Sequence, residues 1–206
     1  MILESINVGI MQVNCYLLAP AAGESALIID PGADADKIKK VLEFYHLKPA
    51  MVINTHGHYD HIGADDEFGV LVCVHKNDLP MLLDPRKNLS ANFALPYKVN
   101  SKIRTLSDKE TIILGSLELE VIHLPGHTPG GIGLLMQSPQ SDMVFTGDTL
   151  FSQGVGRWDL PGGSQAQLKE AIRERLFTLP PATKVYPGHG AATTIGKEKS
   201  ASIFKL

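Results

Sequence analysis

Apolar residues in this chain fall in short bursts rather than in long periodic stretches. Runs rich in Val, Ile, Leu and Tyr occupy 2–8 (ILESINV), 14–20 (NCYLLAP), 25–30 (SALIID), 50–54 (AMVIN) and 70–74 (VLVCV). A second series covers 111–114 (TIIL), 117–124 (LELEVIHL), 131–136 (GIGLLM), 142–146 (DMVFT) and 183–187 (TKVYP). Runs of this length, closed by Gly, Pro or Asp, predict strands. Helical spacing is rarer. In 34–46, Ile38, Val41, Leu42 and Tyr45 share a face behind an Asp-rich start. In 164–177, Leu168, Ala171, Ile172 and Leu176 do so behind Ser164 as N-cap. Shorter turns are expected at NDLPMLL and after HIGADDEF, and the polar, irregular segment 84–105 reads as one long loop.

Strands and a helix, followed by more strands and a helix, predict a layered α+β or α/β sandwich. At 206 residues and 44% hydrophobic, the chain can bury a sizeable core as one domain, 1–206. The net charge of −3, with Lys and Arg scattered, argues against nucleic acid as a partner. No apolar run approaches the roughly 18 residues of a membrane helix. The first residues lack a basic region and carry Glu4, so no signal peptide is read there. Cys15 and Cys73 sit in apolar runs as buried thiols. A cytoplasmic single-domain protein is expected, with a homo-oligomer left open.

The candidate chemistry is concentrated in 54–63, NTHGHYDHIG. His56, His58, Asp60 and His61 lie within six positions of a chain that is only 20% charged. Imidazole and carboxylate groups suit a transition metal when a stiff backbone makes them converge. His56 and His58, two apart in an extended or turn segment, point the same way. Asp60 and His61 continue into an expected helix N-terminus and project to a neighbouring point, so one segment serves two adjacent metal sites. Three more candidates end strand-like runs: His127 in PGHTPGG, Asp148 in TGDTL and His189 in PGHG. Each follows a glycine, as a backbone turning sharply at a strand end would require.

HGHYDH, PGHTPGG, TGDTL and PGHG together resemble the metal motifs of the metallo-β-lactamase superfamily, from residue 54 to residue 190. The resemblance implies an αββα sandwich, two mixed β-sheets packed face to face with helices outside. It also implies His56, His58 and His127 around a first metal and Asp60, His61 and His189 around a second. Asp148 would bridge both, and Asp30 in IIDPG would support the metal loop from behind the ligands. True β-lactamases of the fold usually carry cysteine in place of the bridging aspartate, and its processing nucleases carry basic additions; this chain has neither. TGDTLFSQGVGRWDLPGG looks like the glyoxalase II group, which hydrolyses S-acyl-glutathione thioesters. Arg157 falls where that group contacts glutathione, and NLSANFALP (88–96) resembles the loop over the site in small members.

Two features depart from glyoxalase II. No C-terminal helical glutathione-binding domain is read after His189, and Gly190-Ala191 stand where a tyrosine is usual. Persulfide dioxygenases share the GRWD stretch and use a single iron, but PGHG lacks their acidic residue and tyrosine. The reading is therefore a thioester hydrolase of glyoxalase II type, with a mononuclear iron persulfide dioxygenase as the alternative and a lactonase-type or non-catalytic metal protein behind that. Two divalent ions are expected, zinc first, with iron or manganese also suited to the donor set. A bridging hydroxide would attack the acyl carbon, with Asp60 taking up the remaining proton. The substrate would be a thioester on an acidic thiol carrier, contacted by Arg157, Trp158 and Tyr59. Arg157 could instead pair with Asp159, and Tyr59 and Trp158 could simply pack their loops. His46 is read as a solvated helix end, His75 as a surface strand–helix junction and His123 as a packed strand end.

Overall fold

The computed structural model describes residues 1–93, 96–140 and 142–201. Ala94 and Leu95, within the segment NLSANFALP, lie outside the described residues. The first half builds one sheet from β1 (Ile2–Val8), β2 (Val13–Ala19), β3 (Ser25–Ile29), β4 (Lys48–Ile53), β5 (Leu71–His75) and β6 (Ile103–Leu106), in that spatial order. Between them lie helices α1 (Ala35–Phe44), α2 (Tyr59–Ile62) and α3 (Leu79–Leu83). The second half contributes β7 (Thr111–Leu114), β8 (Leu117–His123), β9 (Ile132–Ser138), β10 (Met143–Gly147), a small hairpin β11 (Leu150–Phe151) and β12 (Gly154–Val155), α4 (Gln165–Ala171), β13 (Lys184–Pro187), β14 (Thr193–Thr194) and α5 (Ile195–Ser200). Its sheet runs β14-β13-β10-β9-β8-β7. Both sheets mix parallel and antiparallel pairs: β3, β4, β5 and β6 run parallel in the first, β10 and β13 in the second.

The expected αββα sandwich follows from the period-two pattern. In β2, Cys15 and Leu17 face a layer shared with Ile38 and Leu42 of α1, while Tyr16 and Leu18 face the opposite sheet. The same alternation sends Val52 outward and Ile53 inward in β4. In β10, Phe145 faces the inter-sheet layer and Val144 joins Leu168 and Ile172 beneath α4. A strand buried on both faces must be apolar at both parities, which is why the runs were legible as strands. Cys15 and Cys73 are free thiols in different layers. Among the described residues no helix is long and apolar enough to cross a membrane.

Three expectations change. The segment 84–105 is not one loop: it contains a turn of 3₁₀ helix (Ser90–Phe93), and its end enters β6, which pairs with β5. β6 carries Ile103, Arg104, Thr105 and Leu106, too short and too mixed to stand out by pattern. His75 is buried rather than on the surface, because β5 is covered by β4 and β6 on either side and its ring stacks on His123 at 4.2 Å. His46 is solvated as expected, but it lies beyond the helix end at Phe44, in a left-handed turn with φ 54°.

Candidate metal centre

The loop between β4 and α2 carries His56 and His58 on a stiff, tied backbone. Asp30, just past β3, accepts from the Thr55 N–H at 2.7 Å, from the Thr55 hydroxyl at 2.6 Å and from His61 Nδ1 at 2.9 Å. Asp30 itself sits at φ 52°, a conformation uncommon for a side chain and frequent where function sets the backbone. Its bond to His61 fixes that ring so that Nε2 points away from Asp30, into the site. His58 precedes α2 in extended conformation, and Asp60 and His61 fall in its first turn, as expected.

The other three groups arrive from strand ends. His127 follows Gly126 (φ 135°) and Asp148 follows Gly147 (φ 48°), both in backbone that favours glycine. Gly188 serves differently: a Cβ there would stand 2.3 Å from Asp148 Oδ1. His127 Nδ1 donates to the Arg157 carbonyl at 2.7 Å and His189 Nδ1 to the Met11 carbonyl at 3.0 Å, so both present Nε2 inward. The groups converge as three overlapping triads, His56, His58 and His127 at one end, Asp60, His61 and His189 at the other, and His56, His61 and Asp148 between, with the ligating atoms of each within 4.8 Å of one another. Asp148 faces both: Oδ2 is 3.7 Å from His127 Nε2 and 3.6 Å from His189 Nε2, and Oδ1 is 3.5 Å from His61 Nε2.

Charge divides the cluster. Burial, then the neighbouring imidazoles, pushes His56 well below the ordinary histidine range, and burial and His127 push His58 down to about 3. Both are neutral with lone pairs available. Burial alone would also lower His61, but the carboxylates of Asp148, Asp60 and Asp30 outweigh it and raise it to about 10. Burial would raise Asp60, but His61 and His189 hold its carboxyl below the usual carboxylate range. His56 Nε2, His61 Nε2 and Asp148 Oδ1 are buried without a hydrogen-bond partner. Orphaned polar atoms cost about 1–3 kcal/mol each, so several aimed at one point are the mark of a coordination site. Imidazole nitrogen with carboxylate oxygen is a donor set for zinc, iron or manganese, and the residues present fit a divalent metal.

Sequence reading missed the residues that tie the loops together. Asp78, fully buried before α3, accepts from the Gly57 N–H at 3.0 Å, the Thr128 hydroxyl at 2.7 Å and the Gly130 N–H at 2.6 Å. It thereby joins the HGH loop to the PGHTPGG loop. Asn14 plays a comparable part for PGHG. In the sequence Asp78 is one acidic residue in HKNDLP, and only the buried glycine amides opposite it reveal its use. His123 packs as expected, its Nε2–H donating to the Pro129 carbonyl at 3.0 Å. Toward solvent, the Arg157 guanidinium forks onto Asp159 at 2.9 and 2.8 Å, and Trp158 beside it is 39% exposed. Tyr59 donates its backbone N–H to the Asn88 carbonyl, and its ring lies 6.0 Å from that of Tyr97.

A profile of the Metallo-beta-lactamase superfamily matches residues 8–189, and the chain belongs to that superfamily. It is 34% identical over 209 residues to Hydroxyacylglutathione hydrolase GloC of Haemophilus influenzae, across 98% of this chain and 97% of that one. The solved structure of BLEG-1 B3 metallo-beta-lactamase is similar with a TM-score of 0.89 and 34% identity, covering 97% of each chain. TTHA1623 in a di-iron-bound form is similar with a TM-score of 0.82 and 34% identity, over 96% of this chain and 98% of that one. The protein is a metal-dependent hydrolase of this superfamily.

Proposed function

We propose that the protein hydrolyses thioesters at a two-metal centre, with zinc as the resident ion. His56, His58 and His127 hold the first ion, Asp60, His61 and His189 the second, and Asp148 lies between them. The observation that carries the two-ion reading is the pair of triads at either end of the cluster, with Asp148 facing both from a third group that includes His56 and His61. Likeness to a hydroxyacylglutathione hydrolase over nearly the whole chain supports the thioester. The similar di-iron structure favours iron as a second candidate for the metal.

Bound divalent ions supply Lewis acidity toward a carbonyl oxygen and acidify water to a pKa near 7. The chain supplies the rest. Asp30 and the carbonyls of Arg157 and Met11 hold His61, His127 and His189 in one tautomer, and Asp78 ties the loops that carry His58 and His127. Asp60, ionised and partly open to solvent, receives the proton that the attacking water gives up. Hydrolysis forms a C–O bond and breaks C–S, and the thiolate leaves without obligatory protonation because thiol pKa values lie near 8.5. Trp158 and Tyr59 line the substrate's approach, and Arg157 exchanges Asp159 for a carboxylate of an acidic thiol carrier. That exchange is cheap, because exposed ion pairs contribute only about 0–1 kcal/mol.

The test is turnover of an acyl-thiol by metal-stripped protein reloaded with zinc, under nitrogen, beside Asp60→Ala and His189→Ala. Zinc should restore hydrolysis without oxygen, and each variant should lose most of it. Activity that requires iron and O₂ and survives loss of His189 would instead identify a mononuclear oxygenase.

A further inference from the structure

The loop carrying His189 is held from the opposite sheet. Asn14, the second residue of β2, is 3% exposed. Its backbone N–H donates to the Gly188 carbonyl at 2.7 Å. Its side-chain amide donates to the Pro187 carbonyl at 3.0 Å and to the Gly190 carbonyl at 2.8 Å. Asn7 donates to Asn14 Oδ1 at 2.5 Å, which settles which end of the amide faces the loop. One residue thus engages the three carbonyls that flank His189. Val13 and His189 also form an antiparallel bridge, and the His189 ring leans on the Met11 carbonyl.

Other ties reach the loop, the Tyr16 hydroxyl donating to the Pro187 carbonyl at 2.7 Å and the Gly188 N–H to the Gly147 carbonyl at 2.8 Å, but among the described residues Asn14 alone engages carbonyls on both sides of His189. The His189 side chain is 26% exposed, against 0% for His61 and 7% for His127. Gly188 has no room for a side chain that could pack. We infer that Asn14 is a positioning residue for the second metal position, setting where His189 Nε2 stands relative to Asp60 and Asp148. The inference rests on the two-ion reading above. The loops of His56, His58 and His127 are tied through Asp30, Asp78 and the Arg157 carbonyl, and Asp30 also holds His61, so the contacts of Asn14 bear on His189.

The experiment is a zinc titration of the metal-free full chain against a chromophoric chelator, resolving the two equivalents, with a thermal melt of each variant. Asn14→Asp keeps the shape and removes both amide donors. Its second equivalent should bind roughly 10- to 100-fold more weakly, the usual effect of losing a partner behind a metal ligand, with the first unchanged. Equal weakening of both equivalents, or of neither, would overturn the inference whatever happens to the melting temperature. A wild-type chain that takes up a single equivalent overturns the two-ion reading itself, a result separate from any behaviour of the variant. Should Asn14→Asp fail to fold, Asn7→Ala poses the same question from an exposed position by releasing the Asn14 amide. It should weaken the second equivalent about five-fold, as for one neutral hydrogen bond, and an unchanged second equivalent would overturn the role.

Discussion

The two triads of the centre are built on opposite principles. His56, His58 and His127 are buried, His56 and His58 are held neutral, and their loops are laced to Asp78 and Asp30 from beneath. Asp60, His61 and His189 include two partly exposed groups and a histidine whose pKa the neighbouring carboxylates raise to about 10. The first triad carries little charge, and its His58 Nδ1 and His127 Nε2 share a 2.9 Å hydrogen bond that a bound ion would replace. The second offers anionic oxygen, but an ion must displace a proton to bind there. Preorganisation favours the first position and Coulomb attraction the second, and only Asp148 belongs to both.

The hardest blow to this division is Asp148→Ala. Removing the shared carboxylate should empty both positions and lower hydrolysis about 10³-fold or more, since metal-borne stabilisation amounts to several kcal/mol. Metal analysis and turnover check it together. Two ions retained by the variant would show that the triads are independent.

Asp78→Asn attacks the first triad alone. Whichever way the new amide turns, an N–H faces a former donor, namely Gly57 and Thr128 or Gly130. Uptake at the first position should weaken roughly 10- to 100-fold, with the second largely spared. Stranding these donors should also cost on the order of 3 kcal/mol, lowering the melting temperature by about 10 °C.

Proton release separates the triads without mutation. With its pKa raised to about 10 by the surrounding carboxylates, His61 favours a second ring proton at neutral pH, whereas the lowered pKa values of His56 and His58 favour a single one. Binding at the second position must expel that proton, so its affinity should rise as pH increases between about 6 and 9, by up to about ten-fold per unit. The first position should be nearly flat over that window. Calorimetric titration in buffers of different ionisation heat counts the protons, and equal pH slopes at the two positions would erase the contrast.

The smallest expected effect sharpens the border between centre and substrate. Arg157 holds His127 through its backbone carbonyl, whereas its guanidinium meets only Asp159 among the described contacts. Arg157→Ala should therefore leave zinc uptake unchanged and the melting temperature within about 1 °C. It should raise KM for an acidic thioester about ten-fold and spare a neutral one. A parallel rise for both substrates would make the side chain structural.

Much of this architecture was legible in the chain because its signals are local. β-branched runs read as strands from their own residues, and HGHYDH gathers four candidate groups within a few positions. Gly126 and Gly147 announced sharp strand ends, and the structure brings His127 and Asp148 to the same point as that segment. What tertiary structure alone decided is which ordinary polar residues became ties. Asp78 is one acid among many until burial leaves the amides of Gly57 and Gly130 with no other acceptor, and Gly130 lies 52 positions further along. Asn14 looks like a strand opening, yet its amide is spent on carbonyls more than 170 positions away. His75, expected on the surface, was covered by a strand too short to be read. A hydrogen bond's worth depends on water being excluded from both partners, and that exclusion exists only once distant segments have packed.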